Sequence, residues 1–233
     1  MFGGEIAPDS AEAAESALTA LTPPGAERSQ RTGAIAAWAW GYLAALEALS
    51  TDPRIDHARI SLWGHSRNGK AALLAAALDP RPAAVIALQP GTGGGSLQRD
   101  AVGESIAQIT ESYPHWFAPA YASWAGREAE LSVDQHQLLA LIAPRPVLMG
   151  AARRDRWSDP HGAWLAARAA SSAWELLGAG AFTQTDLRKP DLSKPLVTYM
   201  RGGLHGVHGQ DWDIALDFLD RHVRPQGASA AAR

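Results

Sequence analysis

Residues 63–70 read WGHSRNGK, between a short apolar, β-rich run, ISLWG (60–64), and an alanine-rich one, NGKAALLAAALD (68–79). A strand ending here and a helix starting here would put Ser66 on the turn between them. On such a turn a serine either caps the helix or offers its hydroxyl to chemistry. The usual elbow pattern is Gly-x-Ser-x-Gly; here Asn68 stands at the fifth position and the glycine follows one residue later, at Gly69.

Working outward, the same alternation recurs along the chain. AAVIALQ (83–89), PRPVLMG (144–150) and LVTYM (196–200) read as further buried strands. AIAAWAWGYLAALEAL (34–49), AVGESIAQIT (101–110), VDQHQLLALI (133–142), PHGAWLAARAASSAWELL (160–177) and DWDIALDFLDRH (211–222) read as helices, the first of them apolar on nearly every side and so expected to be buried by neighbours. Strands alternating with helices predict a single α/β domain over 1–233: a mainly parallel sheet flanked by helices. Residues 1–33, rich in Ala, Gly, Pro and Ser, are expected to be irregular, and the tail 224–233, RPQGASAAAR, to be disordered.

Composition excludes several functions. The 233 residues are 46% hydrophobic and 19% charged, with a net charge of −3, so no electrostatic footprint for nucleic acid is present. No apolar run reaches the roughly 18 residues of a membrane span. With no cysteine there is no disulfide, thiolate metal site or cysteine nucleophile. The start, MFGGEIAPDS, has neither the basic nor the apolar region of a signal peptide.

In parallel sheets, reactive groups collect in loops at the carboxyl ends of the strands. After the first strand comes Ser66; after the second, Gln89 and a glycine loop; after the third, Asp155 and Asp159; after the fourth, His205 and His208. Serine, then aspartate, then histidine is the chain order of an α/β-hydrolase triad, each member following its own strand. The types fit the chemistry: a histidine takes the proton of a weakly nucleophilic hydroxyl, and a carboxylate fixes the histidine's tautomer. Taken singly, a serine opening a helix is more often a cap than a nucleophile and an aspartate in a turn is usually structural; the ordered set tips the balance toward the triad. A metal site on His205-x-x-His208 lacks a carboxylate at ligand spacing.

GHSRNGK resembles the G-x-S-R-x-G-K signature of the glucuronoyl esterases, carbohydrate esterase family 15. GAIAAWAWGYLAALEAL, GESIAQITESYPHWF, VDQHQLLALIAPRPV, DRWSDP and the spacing of His205 to Asp211 and Trp212 extend the likeness to the family's bacterial branch over about residues 33 to 223. The resemblance implies an α/β-hydrolase fold and cleavage of the ester between glucuronic acid on xylan and an alcohol of lignin, without metal or cofactor. It implies Ser66 as nucleophile, His205 as base, Asp155 as acid, and Arg67 as oxyanion donor through its guanidinium and backbone N–H. Lys70 and Glu104 would bind sugar hydroxyls, and Trp157 would line the pocket.

Two features depart from the family. Where some members carry a catalytic glutamate after the second strand, this chain has Gln89, which cannot balance an imidazolium; the acid duty then falls on Asp155, with Asp159 as fallback. Of the two histidines, only His205 keeps the seven-residue spacing to Trp212. The chain also lacks room for the strands that precede the nucleophile strand in this fold. It reads as N-terminally shortened, with a bare sheet edge inviting self-association; a family commonly exported would then show no leader here. Two other readings stay open: an esterase of the same fold acting on an acetylated sugar or dienelactone, and a catalytically silent fragment.

Overall fold

Each β-rich run forms a strand: β1 (Ser61–His65), β2 (Ala84–Leu88), β3 (Val147–Ala152) and β4 (Leu196–Arg201), in a computed structural model that describes residues 6–224. They pair in chain order, all parallel. The register sets Trp63 beside Ile86, Ile86 beside Leu148 and Leu148 beside Val197, so one row of side chains crosses the sheet. Successive side chains point to opposite faces. Ile86, Leu88, Leu148, Val197 and Tyr199 therefore form one apolar layer, and Leu62, Val85, Ala87, Val147, Met149 and Leu196 the other.

Monotonic strand order with right-handed crossovers puts every connecting helix on the same face. On the Leu62 face lie α2 (Ala34–Leu49), α3 (Arg67–Leu78), α6 (Gln135–Ala140) and α7 (Pro160–Leu176), all joined in one core with fully buried Trp174. After β4 comes α8 (Gly209–His222), which covers the opposite face through Ala215 and Phe218. The β2–β3 crossover also carries α4 (Ile106–Ser112) and α5 (Pro119–Ala122). Reciprocal capping boxes, Ser105 with Gln108 and Asp134 with Gln137, start α4 and α6 by satisfying orphan N–H groups.

The N-terminal segment departs from the irregular reading. It holds α1 (Ala11–Ala20), capped by Ser10 accepting from the Ala13 N–H, with Ala14 and Leu18 buried one turn apart in the core that includes α2. Alanine propensity and an i,i+4 stripe outweigh the flanking Pro and Gly. Helix α2 is not enclosed on all sides either: Trp38 is 3% exposed but Trp40 55%. Residues 101–105 precede α4 rather than belong to it. The reading of the tail falls on residues outside those described, apart from Arg224.

The two sheet edges are finished differently. Along β4 the side chain of Gln184 acts as a strand partner, its Oε1 accepting the Thr198 N–H at 3.1 Å and its Nε2 donating to the Thr198 carbonyl. Strand β1 is the other edge, and there the Tyr42 hydroxyl donates to the Trp63 carbonyl at 2.8 Å.

Candidate active site

Ser66 leaves β1 with its N–H donating to the Leu88 carbonyl at 2.8 Å, as if the ladder continued, and its own carbonyl accepts the first helical bond of α3, from Lys70 N–H at 3.1 Å. Joining those two commitments takes φ 57° and ψ −126°, a region non-glycine residues avoid. Its side chain makes no capping hydrogen bond. The hydroxyl is thus placed as an elbow serine, not as a helix cap. Gly64 makes the sharp turn possible, since a Cβ there would lie 2.1 Å from the Asn68 carbonyl oxygen. The close approach that defines the elbow falls on Asn68's backbone, while Gly69, whose Cβ would sit 3.2 Å from the Gly64 oxygen, relieves the next contact.

Ser66 borders a cavity of about 250 Å³ with Lys70, Gln89, Glu104, Asp155, Trp157 and His205; Tyr113, Trp116 and Ser158 are among its other walls. His205 Nδ1 lies 2.7 Å from Asp155 Oδ2. Asp155 is buried, and burial alone would push its carboxyl up; the hydrogen bonds from His205 and Ser158, with the histidine's charge, hold it below the usual carboxylate range instead. A buried carboxylate on Nδ1 leaves Nε2 of a half-exposed imidazole to exchange protons.

The loop carrying His205 is fixed from beneath by two residues that the sequence reading did not single out as site residues. Buried Arg201, ending β4, donates from Nη1 to the Gly202 carbonyl at 2.8 Å and the Leu204 carbonyl at 3.2 Å, and from Nη2 to the Gly206 carbonyl. Asp211, in the first turn of α8, neutralises it at 2.7 Å and also accepts from the Tyr199 hydroxyl and the His208 N–H. The available signal was a charged residue ending an apolar strand ten positions before a carboxylate at a helix start.

On the opposite wall, Lys70 is buried, its ammonium donating to the Pro90 carbonyl at 2.6 Å and to that of Thr92. Burial brings the Lys70 ammonium down to about 8, against the pull of Glu104 and Asp155. Burial likewise pushes Glu104 up, countered in part by Lys70 and by Trp157. Trp157 Nε1 donates to Glu104 Oε1 at 2.8 Å and the Glu104 N–H donates to the Trp157 carbonyl at 3.0 Å, which holds the indole with one side open to solvent.

Three expectations need revision or a decision. The Arg67 guanidinium is not in the cavity: its Nε pairs with Asp9 Oδ2 at 3.0 Å. Asp9 also accepts from Trp116 Nε1 at 2.7 Å and meets His115 Nε2 at 3.0 Å, so the N-terminal segment draws Arg67 away from Ser66. Asp159 caps α7, accepting the Gly162 N–H at 2.9 Å and the Val102 N–H at 3.2 Å, and is not a cavity residue. His208 stands at the N-cap position of α8, its backbone N–H donating to Asp211, and lies outside the cavity as well.

A larger apolar hollow of about 720 Å³, against Phe117, Tyr121 and Trp124, shares only Lys70 and Trp116 with the Ser66 cavity. Its carboxylate, Asp134, is committed to the N–H groups of Gln98, Arg99 and Gln135. Among the described residues no cluster of three His, Asp or Glu is placed to hold a metal, and no helix is long and apolar enough to cross a membrane.

With this geometry in hand, the family model described as glucuronyl esterase, fungi, matches residues 26–178. The chain belongs to the glucuronoyl esterase family. It is 42% identical over 193 residues to carbohydrate esterase MZ0003 from an unknown prokaryotic organism, covering 82% of this chain and 45% of that one. It is 34% identical over 156 residues to a 4-O-methyl-glucuronoyl methylesterase of Wolfiporia cocos, covering 62% and 38%. The structure of a promiscuous CE15 esterase from a marine bacterial metagenome superposes with a TM-score of 0.87 at 37% identity, over 94% of this chain and 56% of that one. This glucuronoyl esterase relative thus spans under half the length of those two curated proteins.

Proposed function

We propose that this chain is a serine carboxylester hydrolase acting on esters of glucuronic or 4-O-methyl-glucuronic acid, as in lignin–xylan linkages. The observation that carries the reading is one cavity holding an uncapped serine on a strained elbow, a histidine bound through Nδ1 to a buried carboxylate, and a lysine–glutamate–tryptophan wall.

In this reading the Ser66 hydroxyl attacks the C6 carbonyl while His205 Nε2 takes its proton, and Asp155 stabilises the resulting imidazolium. The oxyanion meets the Arg67 backbone N–H, at the first position of α3 where no intrahelical carbonyl faces it. His205 then returns the proton to the leaving alcohol, and water, activated by the same histidine, resolves the acyl-enzyme. Lys70 and Glu104 supply a donor and an acceptor for sugar hydroxyls, and Trp157 a flat apolar face. No step calls for a cofactor.

The test is hydrolysis of benzyl glucuronate by the purified protein, with Ser66→Ala and a simple acetate ester alongside. Turnover of the glucuronate ester that vanishes in the variant supports the proposal. Turnover of the acetate alone defeats the glucuronate assignment, and no turnover of either by a folded protein defeats the hydrolase assignment.

A further inference from the structure

Two cavity neighbours have no part in that mechanism: Gln89 and His65. Gln89 follows β2 with φ 51°, a second non-glycine residue in the left-handed region beside the site. Such strain persists where surroundings over-determine it. The Gln89 N–H donates to the Gly150 carbonyl at 2.6 Å. Its side-chain Oε1 accepts the Gly206 N–H at 3.0 Å and its Nε2 donates to the Leu204 carbonyl at 3.4 Å. One amide therefore grips the backbone on both sides of His205.

Those contacts also fix which end of the amide is oxygen. Oε1 lies 2.9 Å from His65 Nε2, so His65 must carry a proton on Nε2. The His65 ring packs against that of His205, centroids 4.6 Å apart and tilted by 48°. The charged groups around His65 are His205, Asp155 on the loop after β3, and Asp211 on α8. A carboxylate at position 89 could keep the Gly206 and His65 contacts, but it would face the Leu204 carbonyl with no proton to give and would draw a second proton onto His65.

We propose that Gln89 is a positioning residue, whose neutral amide clamps the 204–206 loop around His205 without placing a carboxylate against His65, beside a histidine that must become cationic. This rests on the assignment of His205 as the base. It gives the glutamine, at the position where the resemblance places a catalytic glutamate in some members, a duty that a carboxylate cannot perform, since the group must donate and accept at once.

The test follows Ser66 labelling by a fluorophosphonate, which needs an activated serine but no particular acid in the substrate, over about pH 5 to 9. It compares the wild type, Gln89→Met and Gln89→Glu, with Gly206 amide exchange and histidine ring titrations read by NMR. Gln89→Met should slow the inactivation step about 10- to 100-fold with probe affinity nearly unchanged, as for a misplaced catalytic group, and speed Gly206 exchange. Gln89→Glu should restore slow Gly206 exchange, raise the pH at which His65 titrates by about 1 unit or more, and label slowly wherever His65 is cationic. Labelling of Gln89→Met within about twofold of wild type, or a His65 titration unmoved in Gln89→Glu, overturns the proposal. A wild type that never labels sinks the hydrolase reading instead, and Gly206 exchange then decides alone whether Gln89 holds the loop.

Discussion

Asp155→Asn replaces a buried carboxylate by an amide of the same shape, 2.7 Å from His205 Nδ1. An amide nitrogen turned toward Nδ1 would stabilise the tautomer whose proton sits on Nε2, the atom that in the proposed mechanism accepts the proton of Ser66. Removing a triad carboxylate in this way costs about 10⁴ in rate, which at ~1.36 kcal/mol per decade is a barrier increase of about 5.4 kcal/mol. No neighbour can stand in: Asp159 is bound to two backbone N–H groups, Glu104 to Trp157, and position 89 is an uncharged amide. The assay is kcat for benzyl glucuronate, with Ser66 labelling as a substrate-independent check. The same variant has a stability signature of definite sign. The folded-state value of Asp155 is depressed, so its ionisation stabilises the fold above the ordinary carboxylate range, and that contribution is lost as pH falls through the depressed value. The Tm gap between wild type and variant should therefore close in strong acid. A variant retaining more than about a tenth of wild-type kcat would refute Asp155 as the acid.

Gly64→Ala drives a Cβ to 2.1 Å from a backbone oxygen, and overpacking of this kind costs about 1–3 kcal/mol, read as a lower urea midpoint with elbow reactivity reduced in parallel. Arg201→Met leaves Asp211 buried with no counter-charge; breaking such a pair costs about 3–5 kcal/mol, whereas the double variant Arg201→Met with Asp211→Leu should recover much of it in denaturant unfolding. Because the Lys70 ammonium sits at about 8, KM for a glucuronate ester should climb as pH rises through that value while kcat moves less, and Lys70→Met should show a high, flat KM.

The four strands were readable because each is a short apolar run, and no bound moved by more than three residues. Helix α1 was not, because Pro and Gly around it dominate a local reading while its stabilising contact is with α2. Ser66, Asp155 and His205 were legible as strand-end residues in a known chain order. What local pattern cannot show is which groups are already engaged. Asp9's hold on Arg67 joins two segments with nothing in common by composition, and Gln89, noticed only as an uncharged substitute, reaches partners 115 and 117 residues away. The reciprocal service of Arg201 and Asp211 likewise needs the turn between β4 and α8 to exist before it can be seen.

Ser66, Gln89 and Asp159 follow the carboxyl ends of β1, β2 and β3 in turn, and all three hold a positive φ without being glycine. Each such residue carries a conformational cost of about 1–3 kcal/mol that glycine would escape. A screen that rewards heat tolerance alone would favour Ser66→Gly over Ser66→Ala and erase the chemistry while improving its own readout. Thermal selection on this chain is safe only when paired with a reactivity filter, because at Ser66 the costly backbone conformation and the proposed nucleophile belong to one residue.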